Sequence, residues 1–486
     1  MSGIMHRTHT VPEKPLELNR SAISTQPTMS DSKLNIVILA AGKGTRMNSA
    51  LPKVLHALAG KPLLRHVIDC AKQLDPAKII VVYGHGGDAV PRSLAGEPVL
   101  CVEQAEQLGT GHAVQQAIPH LDPEATTLIL LGDVPLISAQ SCSRLLQQAN
   151  DGFALLTVVK PDPTGYGRIV RNAAGEVQAI VEHKDASEQQ RQINEVNTGI
   201  MAIANAHLSR WLQQLKNDNS QREYYLTDIV GMAVQQGVRV AAVQVEDEAE
   251  VSGVNAKQDL AGLERVYQMR YATRLMHAGA TLLDPFRIDV RGELTVGRDV
   301  EIDVGCVFVG KVVLGDNVSI GAYCVIQEAE IGAGSTLAPF THIEKAKIAA
   351  DCRIGPYARL RPGTELADSA HVGNFVELKN AQVGTGSKIN HLSYVGDATV
   401  GKQVNIGAGT ITCNYDGVNK SRTVIGDRAF IGSDTQLIAP VTVGADATIG
   451  AGSTITKDAP ANELTLSRSR QTSIAGWKRP QKKCDV

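Results

Sequence analysis

The chain has 486 residues, which is enough for two or three domains. Its 48 basic and 50 acidic residues nearly cancel, so no overall field favours nucleic acid or an anionic membrane. We therefore expect neither partner, and any phosphate site must be local. The longest apolar runs are too short for a transmembrane helix. Eight scattered cysteines without a C-x-x-C pair indicate reduced thiols in a cytoplasmic protein, not a disulfide frame or a zinc site.

The first segment, residues 1–33, is expected to be a flexible extension. Pro12, Pro15 and Pro27 interrupt it, and it shows no periodicity. It also lacks the apolar core of a secretory signal. Met29 offers an alternative start, in which case the first 28 residues would be absent from the native protein.

Residues 34–257 are predicted to form a doubly wound, Rossmann-like α/β domain. Continuous apolar runs are typical of strands buried on both faces of a parallel sheet. Segments with helical character, such as 63–74 and 111–118, separate them. The runs begin at Asn35, Ile79, Leu128 and Ala154.

Two further regions follow. Apolar residues recur at steps of three and four over 258–278 and predict one rigid linker helix, which Gly279 ends. From Val290 onward an apolar residue recurs every six positions, with restarts, to Ile455. This hexapeptide period predicts a parallel β-helix over 279–486, with a basic C-terminal tail. Glycines that often follow the apolar positions are expected to make the tight corners. The interval 413–424 breaks the period and is predicted to be a loop.

A glycine-rich turn, Leu39 to Met47, follows the first strand and precedes Lys53. Such a turn before a helix exposes backbone N–H groups to a phosphate, and Arg46 and Lys53 add positive charge. On its own, G-x-G is weak evidence, and an ordinary βα turn would be the default interpretation. The string L-A-A-G-x-G-T-R-M followed by L-P-K, however, resembles the nucleoside-diphosphate-sugar pyrophosphorylases.

Asp133, at the end of a central strand, has two possible roles. Its carboxylate can bind a Mg²⁺ that bridges nucleotide phosphates, or it can cap the following helix. The nucleotide loop favours the metal. The resemblance adds Asn255 as a second ligand and makes Arg46 and Lys53 the catalytic cations. Leu131 stands where the family often has tyrosine, and contacts there are expected to be through the backbone.

The resemblance also implies a full set of nucleotide and sugar ligands. Gly167, Glu182 and Asn197 would bind the N-acetylglucosamine part, and polar groups in such a pocket discriminate strongly between sugars. The complete predicted set is Leu39, Ala40, Ala41, Gly42, Lys53, Gln104, Gly109, Thr110, Leu131, Gly132, Asp133, Gly167, Glu182, Asn197 and Asn255. The implied reaction is attack of a sugar-1-phosphate oxygen on the α-phosphate of UTP.

The β-helix carries polar strings between residues 355 and 415. Residues 18 apart should stack on one face, so 361, 379 and about 397 are expected in one column. Arg361 and Lys379 would then form an anion site for a sugar phosphate. His391 is the candidate general base, because an imidazole suits proton removal near neutral pH. The alternative is an ordinary surface histidine, one of thirteen.

These strings, together with the first domain, resemble the bacterial bifunctional N-acetylglucosamine-1-phosphate uridyltransferases / glucosamine-1-phosphate acetyltransferases over about 34–480. The resemblance implies a left-handed coil and a homotrimer with acetyl-transfer sites between subunits. It implies that His391 deprotonates glucosamine-1-phosphate for attack on acetyl-CoA, and that the N-acetylglucosamine-1-phosphate then reacts with UTP. The product, UDP-N-acetylglucosamine, would feed peptidoglycan and lipopolysaccharide synthesis. By resemblance, the sugar phosphate is bound by Arg361, Lys379, Tyr394 and Asn405, and acetyl-CoA by Ala408, Asn414, Tyr415, Ser433, Ala451 and Arg468.

Two alternatives stay open at this point. The β-helix of a monofunctional nucleotidyltransferase would only assemble the oligomer, as a scaffold. A non-catalytic sugar-nucleotide sensor would bind the same ligands without turning them over. Mg²⁺-dependent pyrophosphate release and loss of acetyl transfer in a His391→Ala variant would separate these from the bifunctional enzyme.

Overall fold

The computed structural model of the chain describes residues 33–482. The segment 1–32 and the last four residues lie outside it, and with them all but the last residue of the predicted N-terminal extension. The described residues form an α/β domain, one long helix and a β-helix. None of the helices in this part of the chain has the length and apolarity needed to cross a lipid bilayer.

The N-terminal domain is built on a mixed sheet, and all but one of the strands on its main path are parallel. Its main path runs through Val240–Gln244, Phe153–Val159, Glu195–Ala204, Thr126–Leu131, Leu34–Ala40, Lys78–Tyr83 and Leu100–Glu103. Glu195–Ala204 is antiparallel to both neighbours. Arg168–Arg171 and Val177–Val181 extend the sheet at its side. The order reverses at Leu34–Ala40, so a crevice opens at the carboxyl end of this first strand.

Helices cover both faces of this sheet, as expected for strands with continuous apolar runs. The α-helices are Leu63–Lys72, Ala89–Ser93, Thr110–Ala117, Ala139–Gln148, Glu188–Arg191, Asn205–Gln214 and Asp228–Gln235. Two buried clusters, one on each face, contain alternate residues of the central strands; Ile36 and Ile38 belong to one, and Val37 to the other. The doubly wound prediction is therefore confirmed, with one antiparallel strand added.

The glycine-rich turn is not followed by an α-helix, contrary to the sequence prediction. Two 3₁₀ turns come next, Thr45–Met47 and Lys53–Leu55, and a short hairpin, Ala57–Leu58 with Lys61–Pro62, separates them from the first α-helix. Asn48 takes a left-handed conformation (φ 45°) and ends the first turn, and His56 takes an extended conformation (ψ 143°) and ends the second. The positive charge needed to bind a phosphate must therefore come from side chains more than from a helix dipole.

The linker helix spans Lys257–His277, one residue earlier at each end than expected. It contacts both neighbours. Leu263 packs in a cluster with Met47 and Val254 of the first domain, whereas Leu275 belongs to the core of the β-helix. Buried Gln268 also donates to the Val290 carbonyl (2.9 Å) and accepts from the Val290 N–H (2.8 Å). The helix is thus a packed joint between the two domains.

The β-helix is a prism of parallel strands. One face is an 11-stranded sheet: Thr281–Leu282, Glu301–Ile302, Ser319–Ile320, Thr336–Leu337, Arg353–Ile354, His371–Asn374, Lys388–His391, Asn405–Ile406, Phe430–Ile431, Thr448–Ile449 and Leu464–Thr465. The other two faces share a 15-stranded sheet: Asp289–Val296, Val307–Leu314, Val325–Gln327, Glu330–Ile331, His342–Glu344, Lys347–Ile348, Arg359–Leu360, Glu365–Leu366, Glu377–Val383, Tyr394–Val400, Ile411–Cys413, Thr423–Ile425, Gln436–Ile438, Val441–Val443 and Thr454–Ile455. The apolar residues of the hexapeptide period fill the interior, which confirms the predicted architecture.

The strand register corrects the predicted column. Leu360 pairs with Leu378, a step of 18, so Arg361 stacks on Lys379 as expected. Lys379, however, pairs with Gly396 and not with residue 397, because the next coil has only 17 residues. The missing residue moves Asp397 out of the face and onto the corner.

The glycines that follow the apolar positions do not make the left-handed corners, which is a second correction. Of the fourteen that follow an apolar position, only Gly355 has a positive φ. The left-handed positions are instead filled by glycines elsewhere in the repeat, such as Gly334 and Gly409, and by other residues, among them Tyr357, Asp397 and Asp446. At Gly332 a Cβ atom would lie 2.7 Å from the Ala349 carbonyl oxygen of the next coil. These glycines therefore permit adjacent coils to approach closely.

Candidate active sites

The nucleotide-binding residues line a cleft of about 450 Å³ at the switch point of the first sheet. Its lining includes Leu39, Ala40, Ala41, Gly42, Lys53, Gln104, Gly109, Thr110, Leu131 and Asp133. An adjoining cleft of about 840 Å³ is lined by Arg46, Thr110, Leu131, Asp133, Gly167, Glu182, Asn197 and Asn255, among others. The two clefts share Thr110, Leu131 and Asp133. Predicted nucleotide and sugar ligands thus meet at one carboxylate.

Backbone packing shapes the first cleft. Gly44 has φ 59°, and a Cβ there would lie 2.7 Å from Cβ of Lys53, so the glycine brings the turn against the lysine. Gly109 has φ 114°, and a Cβ there would lie 2.7 Å from the Tyr224 carbonyl oxygen. Buried Gln104 donates from Nε2 to the Gly109 carbonyl at 3.1 Å. The predicted base-recognition segment is therefore held by main-chain contacts that a side chain would disrupt.

Asp133 and Asn255 come together at the junction of the clefts. The Lys53 ammonium donates to Asp133 Oδ2 at 2.5 Å and to Asn255 Oδ1 at 3.3 Å. Asp133 does not cap the next helix, whose N-terminal cap is Ser138. The second predicted ligand is positioned by Asp259, which accepts from the Asn255 N–H at 2.9 Å.

This pair of oxygens fits a hard divalent cation. Both converge on one cation, the lysine ammonium, and both are ligand types that Mg²⁺ binds. No cluster of three or more His, Cys, Asp or Glu residues able to hold a metal occurs within residues 33–482. Mg²⁺ commonly uses one or two carboxylate-type ligands and completes its shell with water and substrate phosphate.

The sugar side of the cleft is acidic and partly buried. Burial raises the pKa of Glu182, with smaller contributions from Asp228 and Asp185, although a hydrogen bond from the Thr227 hydroxyl (3.0 Å) opposes it. Sequence reasoning missed Lys160, which lines this cleft with its ammonium 4.9 Å from the centre of the Tyr166 ring. Lys160 follows a strand and belongs to no recognisable motif, so the sequence did not mark it as a binding residue. The Leu131 side chain reaches Gly199, beside Asn197.

In the β-helix, His391 is exposed at the end of its strand and tied to Asn374. The distance from His391 Nδ1 to Asn374 Oδ1 is 2.8 Å. Because an amide oxygen only accepts hydrogen bonds, Nδ1 must carry the proton of the neutral ring. The opposite nitrogen, Nε2, is then left as the proton acceptor. Asn374 lies within the polar strings between residues 355 and 415, but no role was predicted for it.

A column of small residues runs from His391 toward the C-terminal end of the prism. Asn374 pairs with His391, and the registers of the following strands carry the same position through Ala408, Ser433 and Ala451. Arg468 donates from Nη1 to the Ala451 carbonyl at 2.9 Å. Four of the six residues predicted to contact acetyl-CoA thus form one strip that starts at the candidate base.

The predicted sugar-phosphate residues are only partly brought together. Arg361, Lys379 and Tyr394 lie on one face, where the Tyr394 hydroxyl folds over Gly396. Asn405 lies on a different face, in the 11-stranded sheet. A single chain therefore does not place Asn405 beside Arg361 and Lys379.

The loop 413–424 adds groups that the sequence prediction omitted. Lys420 lies beside Lys379, and this neighbouring ammonium, with a smaller effect of Arg361, lowers the pKa of Lys379. Glu377 accepts from Arg361 Nη1 at 2.8 Å. The period break revealed the loop itself, but not which face its tip approaches.

The comparisons with known proteins agree with a fold of one α/β domain and one β-helix. The model of the MobA-like NTP transferase domain matches residues 36–227, that of the GMPPB C-terminal domain 290–383, and that of the bacterial transferase hexapeptide, with six repeats, 422–457. A bifunctional protein GlmU of Methylobacillus flagellatus is 70% identical over 451 residues, which are 93% of this chain and 98% of that relative. One from Cupriavidus pinatubonensis is 60% identical and covers 93% of this chain and 99% of its own length.

The chain belongs to the family of bifunctional GlmU proteins. The predicted family, fold class and pair of activities are confirmed. As a GlmU family member, the chain is both a glucosamine-1-phosphate N-acetyltransferase and a UDP-N-acetylglucosamine pyrophosphorylase. This assignment excludes the monofunctional nucleotidyltransferase and the non-catalytic sensor.

Proposed function

We propose that the two clefts of the first domain are the uridyl-transfer site and that the His391 corner is the acetyl-transfer site. The observation that carries the first assignment is the junction of both clefts at Asp133, with Lys53 and Asn255 beside it. UTP occupies the cleft of Gln104 and Gly109, and the sugar phosphate lies in the other. Their reacting phosphates then meet beside Asp133.

In uridyl transfer, the protein mainly positions the substrates and neutralises charge. Asp133 and Asn255 would hold a Mg²⁺ ion, which would offset the negative charge of the triphosphate. Arg46 and Lys53 stabilise the charge that develops as pyrophosphate leaves. Gly167, Glu182 and Asn197 orient the N-acetylglucosamine part.

In acetyl transfer, His391 Nε2 takes the proton from the amine of glucosamine-1-phosphate as this amine attacks the acetyl-CoA thioester, and the C–S bond breaks to release CoA as its thiol. The strip Ala408, Ser433 and Ala451 offers a narrow floor for the extended pantetheine arm, and Arg468 at its end meets the CoA phosphates. Asn414 and Tyr415, on the loop 413–424, complete the proposed acetyl-CoA contacts. Arg361, Lys379, Tyr394 and Asn405 hold the sugar phosphate, and Lys420 adds a third cation. The acetylated product is the substrate of the first domain.

We further propose that three copies assemble around the β-helix. Two observations support shared sites: His391 is exposed, and Asn405 lies on another face from Lys379. An exposed aromatic stack leads along the corner to Leu392, next to His391; its ring centres are 4.9–5.3 Å apart. The stack consists of Tyr323, Phe340, Tyr357 and Phe375. Contact with a second copy would cover this apolar edge.

A cytoplasmic location is proposed as well. All seven cysteines of the described residues are free, a state that reducing compartments preserve.

One experiment tests both sites. The enzyme is incubated with glucosamine-1-phosphate, acetyl-CoA, UTP and Mg²⁺ while free thiol and pyrophosphate are followed. We expect His391→Ala to reduce thiol release about 10²- to 10⁴-fold and to leave uridyl transfer from supplied N-acetylglucosamine-1-phosphate intact. We expect Asp133→Asn to do the reverse. Loss of both activities in either variant, or of neither, would contradict the assignment.

A further inference from the structure

Asp397 lies at a corner of the prism, beside the face that carries Arg361 and Lys379. It adopts a left-handed conformation with φ 46°, and so does Asn380 one coil before it. Both carboxylate oxygens are used: Oδ1 accepts from Asn380 Nδ2 at 2.6 Å, and Oδ2 accepts from the side-chain amide of Asn414. Asp397 therefore ties the start of the loop 413–424 to the body of the β-helix.

The loop itself is a compact turn. Tyr415 and Lys420 form an antiparallel bridge, and the Ser421 N–H donates to the Asn414 carbonyl at 2.9 Å. At its far end, Arg422 donates from Nε to the Thr399 hydroxyl at 2.8 Å. The loop is thus anchored on both sides, and the Asp397–Asn414 contact is the anchor next to the turn that presents Lys420.

The cations around this anchor repel one another. Lys379 and Lys420 are close enough that the pKa of Lys379 is lowered. Burial raises the pKa of Asp397, but hydrogen bonds from Asn380 and Asn414 and the charges of both lysines outweigh it, so the net shift is downward. Without a fixed anchor, repulsion would move Lys420 away from Lys379.

We propose that Asp397 is a positioning residue of the acetyl-transfer site, which holds the loop 413–424 so that Lys420 and Lys379 face one phosphate group. Asp397 touches neither substrate. It acts through Asn414 on the loop and through its charge on the two lysines. This inference rests on the proposed assignment of Arg361 and Lys379 to the phosphate of glucosamine-1-phosphate.

A simpler electrostatic role makes the opposite prediction. If Asp397 were only a counter-charge, its removal would give the site a greater net positive charge and would tighten the binding of an anionic substrate. If Asp397 positions the loop, its removal frees Lys420, and binding of the phosphate weakens although the site has gained positive charge. The sign of the change in KM therefore separates the two roles.

The test uses Asp397→Asn in the full chain. Asparagine tolerates the left-handed corner. Its side-chain NH₂ group, however, would face the NH₂ group of Asn380 or Asn414, so one of the two hydrogen bonds would be lost. Asp446→Asn is the matched control, since Asp446 occupies another left-handed corner (φ 57°) and pairs with Arg428 away from the site. Arg422→Gln releases the other anchor of the loop. Steady-state acetyl transfer is measured against glucosamine-1-phosphate, with uridyl transfer by the same preparations as the check on folding.

We expect Asp397→Asn to raise the KM for glucosamine-1-phosphate about tenfold, from the loss of a hydrogen bond to a charged group. kcat should change far less, Arg422→Gln should raise KM in the same direction, and Asp446→Asn should have no effect. A KM that is unchanged or lower in Asp397→Asn, or a change confined to kcat, overturns the inference. Lys379→Gln separates the two proposals: if it leaves this KM unchanged, the phosphate assignment fails and the inference with it. If it raises KM while Asp397→Asn does not, only the inference fails.

Discussion

At the scale of single residues, both proposed sites depend on polar groups whose partners set their chemistry. Lys53 lies between the two oxygens of Asp133 and Asn255, and His391 is oriented by Asn374. The principal residues could be predicted from the sequence, because an aspartate that ends a buried strand and a histidine among polar strings each suit few roles. The partner of His391 could not be predicted, because Asn374 owes its place to strand register. Asn255 was predicted by resemblance alone, because its place depends on contacts at the start of a helix.

Glu182 offers a test of charge at the sugar site. Its raised pKa means that the folded state disfavours the carboxylate, so this group contributes stability at low pH that is lost as pH rises through its folded pKa. Glu182→Gln should therefore raise the midpoint of thermal unfolding at pH 8, and the gain should vanish near pH 4. The same variant should raise the KM for N-acetylglucosamine-1-phosphate. A variant that melts lower than the parent at pH 8 would contradict this interpretation.

Asn374 offers a test of the base. In Asn374→Asp, a carboxylate would replace the amide oxygen beside His391 Nδ1 and stabilise the imidazolium form. Since acetyl transfer needs the unprotonated ring, the acidic limb of its pH–rate profile should move upward by about one pH unit. Asn374→Ala should lower kcat about tenfold, because the tautomer is no longer fixed. An unchanged profile in Asn374→Asp would show that this contact does not act on the base.

At the scale of the elements, the apolar period predicted the β-helix but not the role of its glycines. A six-residue period specifies which residues point inward, and it does not distinguish a corner from a close approach between coils. The 17-residue coil after Lys379 was readable from the sequence, because the apolar period steps by five from Leu378 to Val383, but the predicted column ignored that restart. The 3₁₀ turns after the first strand were missed because they end where Asn48 and His56 leave the helical conformation, and such single-residue changes leave no periodic pattern in the sequence.

Gly332 and Gly231 test this distinction. A Cβ at Gly332 would lie within 2.5–2.8 Å of three backbone atoms of the next coil, whereas a Cβ at Gly231, in the helix Asp228–Gln235, meets nothing within 4 Å. Gly332→Ala should therefore reduce the free energy of unfolding by about 3 kcal/mol. Gly231→Ala should increase it by up to about 1 kcal/mol. Denaturant unfolding measures both, and equal effects would refute the close-approach role.

At the scale of the whole molecule, the sequence indicated two domains and a rigid helix between them. It did not show that the helix is bonded to both. Glu264 accepts from the Ala59 N–H at 2.7 Å in the first domain, and one turn later Gln268 pairs with the Val290 backbone in the second. A hydrophobic period reports which face of a helix is buried, but a buried polar contact of this kind depends on the partner's backbone.

The exposed aromatic stack gives the last prediction, which concerns assembly. Phe340 and Tyr357 are stacked almost in parallel (3°), with 46% and 49% of their surface exposed. If copies of the chain cover this corner, Phe340→Ser with Tyr357→Ser should convert the assembly to smaller species in analytical ultracentrifugation. Acetyl transfer should fall with it, because His391 and Asn405 would lose the residues of the neighbouring copy. Uridyl transfer should persist, because both clefts of the first domain lie within one chain. Phe286→Ser is the matched control, since this exposed phenylalanine lies outside the stack. Dissociation without loss of acetyl transfer would place the complete acetyl-transfer site within a single copy.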